Sequence, residues 1–232
     1  QQIVGSLLFY GRALDSSFLP AVSAISSEQS SPSLKTVAAA KRLLGYAAAH
    51  PPHHLEIRPS NMTLTIASDA SYLSRPNSGS VAGGIFFLGP VPSAAPYGSH
   101  ASRTPNAPLH KFCSLIPVVV ASVAEAGYAA AFGAAQVGVE LRQTPTNLGY
   151  PQPPTSIWVD NECAIGIANK TVKPKRSKSI DMRFNWIQNR IAQGMFLVSW
   201  IPGPSNLADF FTKILPVHKH KSLLPLLFGH KV

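Results

Sequence analysis

Acidic side chains are scarce in this sequence. Its 232 residues hold 10 Asp plus Glu against 20 Lys plus Arg, a formal net charge of +10. Each acid can therefore be asked what it is for. Cysteine is scarcer still. Cys113 and Cys163 are too few for a disulfide framework and favour a reduced, intracellular setting. No run of about 18 apolar residues occurs, so no membrane span is expected. The opening "QQIVGSLLFYGRALDSS" has no basic stretch followed by a small-residue cleavage site, so no signal peptide is read there. It also lacks a Met, which suggests a piece of a longer chain. What is present is 45% hydrophobic residues, enough for a real core. The length suits one domain with an attachment, or two small ones.

The positive charge is uneven. From Lys170 onward there are eleven Lys or Arg and two acids, a charge of +9. The first 169 residues carry nine basic and eight acidic groups, a charge of +1. A basic C-terminal quarter points to a polyanionic partner. A solubilising face or a basic tail would give the same count.

Hydrophobic period and punctuation divide the chain. Residues 1 to 55 read as helical, and "SSPSLKTVAAAKRLLGYAAAH" opens with Ser and Pro before strong helix formers. "HPPHH" ends that stretch, because prolines cannot continue a helix. Its His cluster reads as a polar turn rather than a metal site. "LEIRPS" and "LTIASDASYL" then read as extended, and "SRPNSGS" as a turn into the strand "VAGGIFFLG". "HKFCSLI" is a third strand. The Ala-rich stretch after Pro117 is a long helix. "SIWVD" is a short buried strand, "NECAIGIANK" a short helix, and "SIDMRFNWIQNRIAQG" an amphipathic helix ended by Gly194. "MFLVSWIP" is a fifth strand. "PSNLADFFTKIL" is a last helix, with Ser205 or Asn206 as N-cap. Antiparallel strands followed by α/β units make a mixed sheet flanked by helices.

Four acids fall at telling places on this outline. Asp69 ends the first strand, Glu125 lies in the long helix, Asp160 ends the fourth strand, and Asp209 opens the last helix. Each has a bland alternative: Asp160 and Asp209 suit helix N-termini, and Glu125 suits a solvated helix face. Asp69 is the hardest to explain away, since it follows an apolar strand and precedes no helix. As a set, strand ends and helix faces at one sheet edge bring carboxylates together. Such a cluster is unfavourable unless cations cancel it. Mg²⁺ prefers carboxylate oxygens. Two ions about 3.5–4 Å apart support phosphodiester cleavage.

Six stretches carry a family resemblance: "SDASY", "VAGGIFFLG", "ASVAEAGY", "VDNECAIGIANK", "RSKSIDMRFNWIQNRI" and "NLADFFTKILP". In order and spacing they resemble the RNase H domain of copia-type LTR retrotransposon polyproteins. The stretch before them resembles the thumb-to-connection end of the reverse transcriptase. The resemblance implies an α/β, RNase H-like mixed five-stranded sheet flanked by helices, with an N-terminal helical segment. It divides the chain into a helical segment at 1–58, an RNase H-like domain at 59–216 and a basic C-terminal tail at 217–232.

It also implies a function. Asp69, Glu125, Asp160 and Asp209 match the family's metal-binding carboxylates, holding two Mg²⁺ or Mn²⁺ ions. The activity implied is cleavage of the RNA strand of an RNA–DNA hybrid during reverse transcription, leaving a 3′-hydroxyl and a 5′-phosphate. Lys170, Lys173, Lys175, Arg176, Lys178 and Asn161 are the expected nucleic-acid contacts. The partners implied are the hybrid and the reverse transcriptase portion of the polyprotein, with no membrane. Self-association through the N-terminal helices is a further expectation, and the setting is a cytoplasmic virus-like particle or the nucleus. Three departures stand out. "IPGPSN" lacks the His that many cellular RNases H carry there, which implies slow turnover. Gly127 stands where relatives often have a second acid. Pro145 falls where the long helix is expected to continue. These departures keep an alternative open: an RNase H-like nucleic-acid-binding module with an impaired or reused site.

Overall fold

The chain is described by a computed structural model over residues 1–50, 53–89, 106–171, 181–213 and 215–229. Three helices come first: α1 (Gln2–Ala13), α2 (Leu19–Ser26) and α3 (Leu34–Ala49). Ser33 caps α3. Its hydroxyl accepts from the Thr36 N–H while the Thr36 hydroxyl accepts from the Ser33 N–H, at 3.2 and 3.1 Å, so two orphan donors are satisfied at once.

A hairpin follows, β1 (Leu64–Arg75) and β2 (Gly79–Leu88), then β3 (His110–Leu115). Next come α4 (Val123–Asn147), β4 (Thr155–Val159), α5 (Glu162–Ala168), α6 (Asp181–Ala192) and β5 (Phe196–Trp200). Two short helices, α7 (Asp209–Thr212) and α8 (Val217–Leu223), complete the set. The strand order is β3-β2-β1-β4-β5. β1 and β3 run antiparallel to β2, while β4 runs parallel to β1 and to β5. This is the mixed five-stranded sheet flanked by helices that the sequence leads one to expect.

The pleat sorts the core onto two faces. Leu64, Ile66 and Phe86 pack with Ile157, Val159, Phe196 and Val198 under α4, α5 and α6. On α4 the buried residues include Ala126, Ala130, Ala131, Ala134 and Ala135, a helical period of small side chains that lets the helix lie close to the sheet. Ala67, Ile85 and Phe87 point the other way. They meet Phe210 and Phe211 of α7, Leu223 of α8, Leu227, Phe228 and Leu19 of α2. A third cluster, Val4, Leu7, Phe18, Val22, Ile25 and Ala40, knits the first three helices together.

Several boundaries differ from the sequence reading. β1 does not end at Asp69. It continues to Arg75, because Asp69, Ala70 and Ser71 still pair with Gly83, Ala82 and Val81 of β2. α4 starts at Val123, six residues after Pro117. There the Ser122 hydroxyl accepts from the Glu125 N–H and the Glu125 carboxylate accepts from the Ala121 N–H. The helix runs through Pro145, which sits in its last turn. The last helix of the sheet domain has only four residues, and Asn206 closes a turn on the Ala208 N–H instead of capping a long helix. Gly194 does end the α6 segment, with φ of 70°. The stretch set apart as a basic tail forms α8 and a 3₁₀ turn over Pro225–Phe228, with Leu223, Leu227 and Phe228 buried. Its Phe228 carbonyl accepts from the Glu56 N–H at 2.8 Å. No helix of the described residues is long and apolar enough to cross a membrane.

Candidate metal centre

Register places the first two carboxylates. Parallel pairing between β1 and β4 runs from Thr65 with Ser156 to Ser68 with Val159. Asp69 and Asp160 are the next residue on each chain, so they stand side by side where β4 stops. By the two-residue alternation of each strand, both lie on the face that carries α7.

The third carboxylate arrives on α7, and a glycine admits it. Gly83 is the β2 partner of Asp69. A Cβ there would stand 2.7 Å from the Thr212 Cγ2 and 2.9 Å from the Phe211 Cβ. Without one, α7 lies directly on the strand. The Asn206 amide donates to the Ser68 carbonyl at 3.1 Å, and its carbonyl oxygen accepts from the Ala208 N–H at 3.1 Å. Phe210 and Phe211 anchor the helix in the core. A helix of four residues has no stability of its own, so these contacts decide where Asp209 sits.

Asp69, Asp160 and Asp209 each offer an oxygen within 4.8 Å of the other two. Asp69 and Asp209 are buried and Asp160 is half-buried. Burial pushes the Asp69 pKa up to about 6, helped by the charges of Asp209 and Asp160 and opposed by Thr212 and Lys213. Burial, with the charge of Asp209, also raises Asp160. The Thr212 hydroxyl donates to Asp69 Oδ2. Lys213 Nζ lies 2.6 Å from Asp209 Oδ1 and 3.5 Å from Asp69 Oδ2, and Lys219 Nζ lies 3.1 Å from Asp209 Oδ2. Burial alone would lower the Lys213 pKa. The hydrogen bond to Asp209 and the surrounding carboxylates outweigh it and raise the pKa.

Glu125 is not brought into this cluster. Its Oε2 accepts from the Ala121 N–H at 2.7 Å, at the start of α4. Asn161 caps α5 by accepting from the Ala164 N–H at 2.9 Å. Lys170 is exposed at the end of that helix with φ of 60°. Lys173, Lys175, Arg176 and Lys178 lie outside the described residues. Sequence reasoning missed Lys213, Lys219 and Thr212, and it read Asn206 only as a possible N-cap. Lys213 was within reach of it, since Asp209 and Lys213 are spaced i,i+4 and such pairs meet on one helix face. Lys219 was not, because its contact depends on the path through Pro216.

The chain is similar to a retrovirus-related Pol polyprotein from transposon TNT 1-94 of Nicotiana tabacum, 29% identical over 112 residues. That stretch is 48% of this chain and 8% of the polyprotein, so this chain spans a small part of its relative. The similarity agrees with the retrotransposon resemblance of the motifs. No family model matches. Among solved structures, LC11-RNase H1 in complex with an RNA/DNA hybrid is 16% identical, with a TM-score of 0.44, over 65% of this chain and 94% of that one. Prototype foamy virus protease–reverse transcriptase is 14% identical, with a TM-score of 0.41, over 89% of this chain and 29% of that one.

Proposed function

We propose that this chain is a divalent-metal-dependent endoribonuclease that cuts the RNA strand of RNA–DNA hybrids, as part of a retrotransposon polyprotein that makes DNA from RNA. The observation that carries the proposal is the meeting of Asp69, Asp160 and Asp209 on the α7 face of a mixed five-stranded sheet, where β4 stops. Three carboxylates placed so close, two of them buried, are costly without a cation. An all-oxygen donor set suits a hard ion such as Mg²⁺ or Mn²⁺. The residues present fit one such ion, which Asp69, Asp160 and Asp209 would hold. When bound, it would make a water more acidic and offset charge on phosphate oxygens.

The chain's own residues prepare that site. Asp69 and Asp160 are fixed by adjacent strands, and Thr212 orients Asp69 by its hydrogen bond. Lys213 and Lys219 add positive potential where a phosphate would approach. Lys170, Lys173, Lys175, Arg176, Lys178 and Asn161 would hold the duplex backbone. RNA would be told from DNA by 2′-hydroxyl contacts in a shallow minor groove. Phe9 and Leu34, 72% and 91% exposed, leave apolar surface on the first helices for the polymerase portion of the same polyprotein.

The test is cleavage of a labelled hybrid beside double-stranded DNA of the same sequence, with Mg²⁺ or Mn²⁺. Only the hybrid should be cut. Asp69→Asn and Asp160→Asn should each reduce cutting to background while circular dichroism stays unchanged. Full activity in either variant sinks the assignment.

A second reading has its own support. Lys213 and Lys219 already neutralise Asp209, and Glu125 stands apart. Both suit a module that binds hybrid without cutting it. That reading expects hybrid binding in EDTA equal to binding in Mg²⁺, and no cleavage in either.

A further inference from the structure

The ion pairs around Asp209 and the backbone at the start of α4 bear on one question: how many cations this centre takes. Asp209 is held from two directions, with Lys213 Nζ 2.6 Å from Oδ1 and Lys219 Nζ 3.1 Å from Oδ2. Lys213 also reaches Asp69 at 3.5 Å. A metal ion and an ammonium group seek the same oxygens. On the other face of the sheet, α4 approaches the end of β4 at Gly127. A Cβ at Gly127 would stand 3.4 Å from the Cβ of Asn161, the residue after Asp160. The acid two residues earlier, Glu125, is turned to the Ala121 N–H.

We infer that Lys213 and Lys219 are fixed counter-cations that compete with divalent ions for Asp209, and that Gly127 marks the position from which α4 would supply a fourth carboxylate. The free protein then holds one divalent ion, chiefly on Asp69 and Asp160. This rests on the metal-binding reading above and adds what limits it. Charge decides the matter. Three ionised carboxylates and two ammonium groups leave a charge of minus one. One divalent ion takes the centre to plus one, and a second takes it to plus three. Asp69 and Asp209 are 5% and 4% exposed, so solvent does little to relieve the excess. Removing a lysine, or adding a carboxylate at position 127, shifts the balance back towards metal.

The experiment is Mn²⁺ binding to the full chain without nucleic acid, read by the electron paramagnetic resonance signal of free Mn²⁺ and by isothermal titration calorimetry. The wild type should take up one ion. Lys213→Met should bind that ion about tenfold more tightly or better, since it removes a unit charge from the ion's immediate surroundings. Lys219→Met should act in the same direction with a smaller gain. Combining Gly127→Glu with Lys213→Met should add a second equivalent. Both lysines are partly exposed, 41% and 32%, so little buried surface is lost, and circular dichroism of each variant checks that the fold survives the loss of an ion pair to buried Asp209.

Wild-type affinity in Lys213→Met and Lys219→Met would overturn the counter-cation role: the lysines would then swing into solvent when metal arrives. A double variant with no second equivalent would overturn the assignment of position 127. Failure of the underlying metal reading looks different. In that case no form binds Mn²⁺, or Asp69→Asn binds it as well as the wild type, and this inference falls with it.

Discussion

The two faces of the sheet are built in opposite ways. One face is covered by α4, whose 25 residues lie along the sheet on a stripe of alanines, with α5 and α6 beside it. Its partners are nearly all apolar and come from residues 64–198. The other face is covered by pieces from both ends of the chain: Leu19 of α2, the four-residue α7, and Leu223, Leu227 and Phe228 near the C-terminus. This second face carries the carboxylates. The scaffold is thus local in sequence and redundant, while the site depends on long-range packing of small parts. Ordering such parts costs loop-closure entropy that only tertiary contacts repay.

The largest expected effect sets the faces against each other. Ile66→Ala, on the α4 face, and Phe211→Ala, on the α7 face, each remove a fully buried side chain. Each should cost about 2–5 kcal/mol in chemical denaturation. Mn²⁺ titration of the folded fraction should then separate them. Ile66→Ala should keep wild-type metal affinity, whereas Phe211→Ala should lose most of it, because α7 has no other anchor of that size beside Phe210. Equal metal affinity in the two would break the comparison.

Deleting residues 1–50 comes next. Leu19 shares a cluster with Phe210 and Phe211, so the segment should support α7. The shortened chain should be less stable and bind Mn²⁺ more weakly. Limited proteolysis that cuts between residues 50 and 53 and leaves a fully active core would show instead that the helices are a separable appendage.

A smaller effect is expected from the basic stretch. Replacing Lys173, Lys175, Arg176 and Lys178 by Ala should weaken hybrid binding for every sequence. It should also flatten the slope of log K against log salt, by roughly 0.9 for each phosphate no longer neutralised on a B-like duplex. An unchanged slope would mean that these residues touch no phosphate.

The smallest concerns Lys111 on β3, buried at 7% exposure near the first helices. Burial lowers its pKa below 10.5, against the attraction of Asp15. The unfolded chain therefore binds the proton more tightly. Stability should rise with pH across the window between the lowered folded value and 10.5, where only the unfolded state keeps the proton. Lys111→Met should remove that rise and increase Tm at neutral pH, at about 2–4 °C per kcal/mol gained. A lower Tm in this variant would mean that the ammonium group has a strong partner at the interface.

Much of this was legible in the sequence. The hairpin at 64–88, the parallel unit around "SIWVD", and the strands that carry Asp69 and Asp160 follow from strand alternation, which is a local property. Helix α4 was legible in kind but not in its start, because the start depends on whether Ser122 or a residue near Pro117 captures the first N–H groups. The strand reading of "LTIASDASYL" reaches Leu73, two residues short of the observed end; what it misplaces is Asp69, which pairing with β2 keeps inside the strand.

The site divides along the same line. The sequence by itself determined which elements carry acids, and three of its ten acids, from β1, the end of β4 and α7, meet on one face of the sheet. Only the tertiary structure decided that Glu125 serves its own helix terminus, that α7 shrinks to four residues, and that Lys213 and Lys219 close on Asp209. The physical reason is range. A side chain two or four residues away is placed by backbone geometry, but a carboxylate choosing between an N–H, an ammonium group and a metal ion answers to everything that folding brings within a few ångströms.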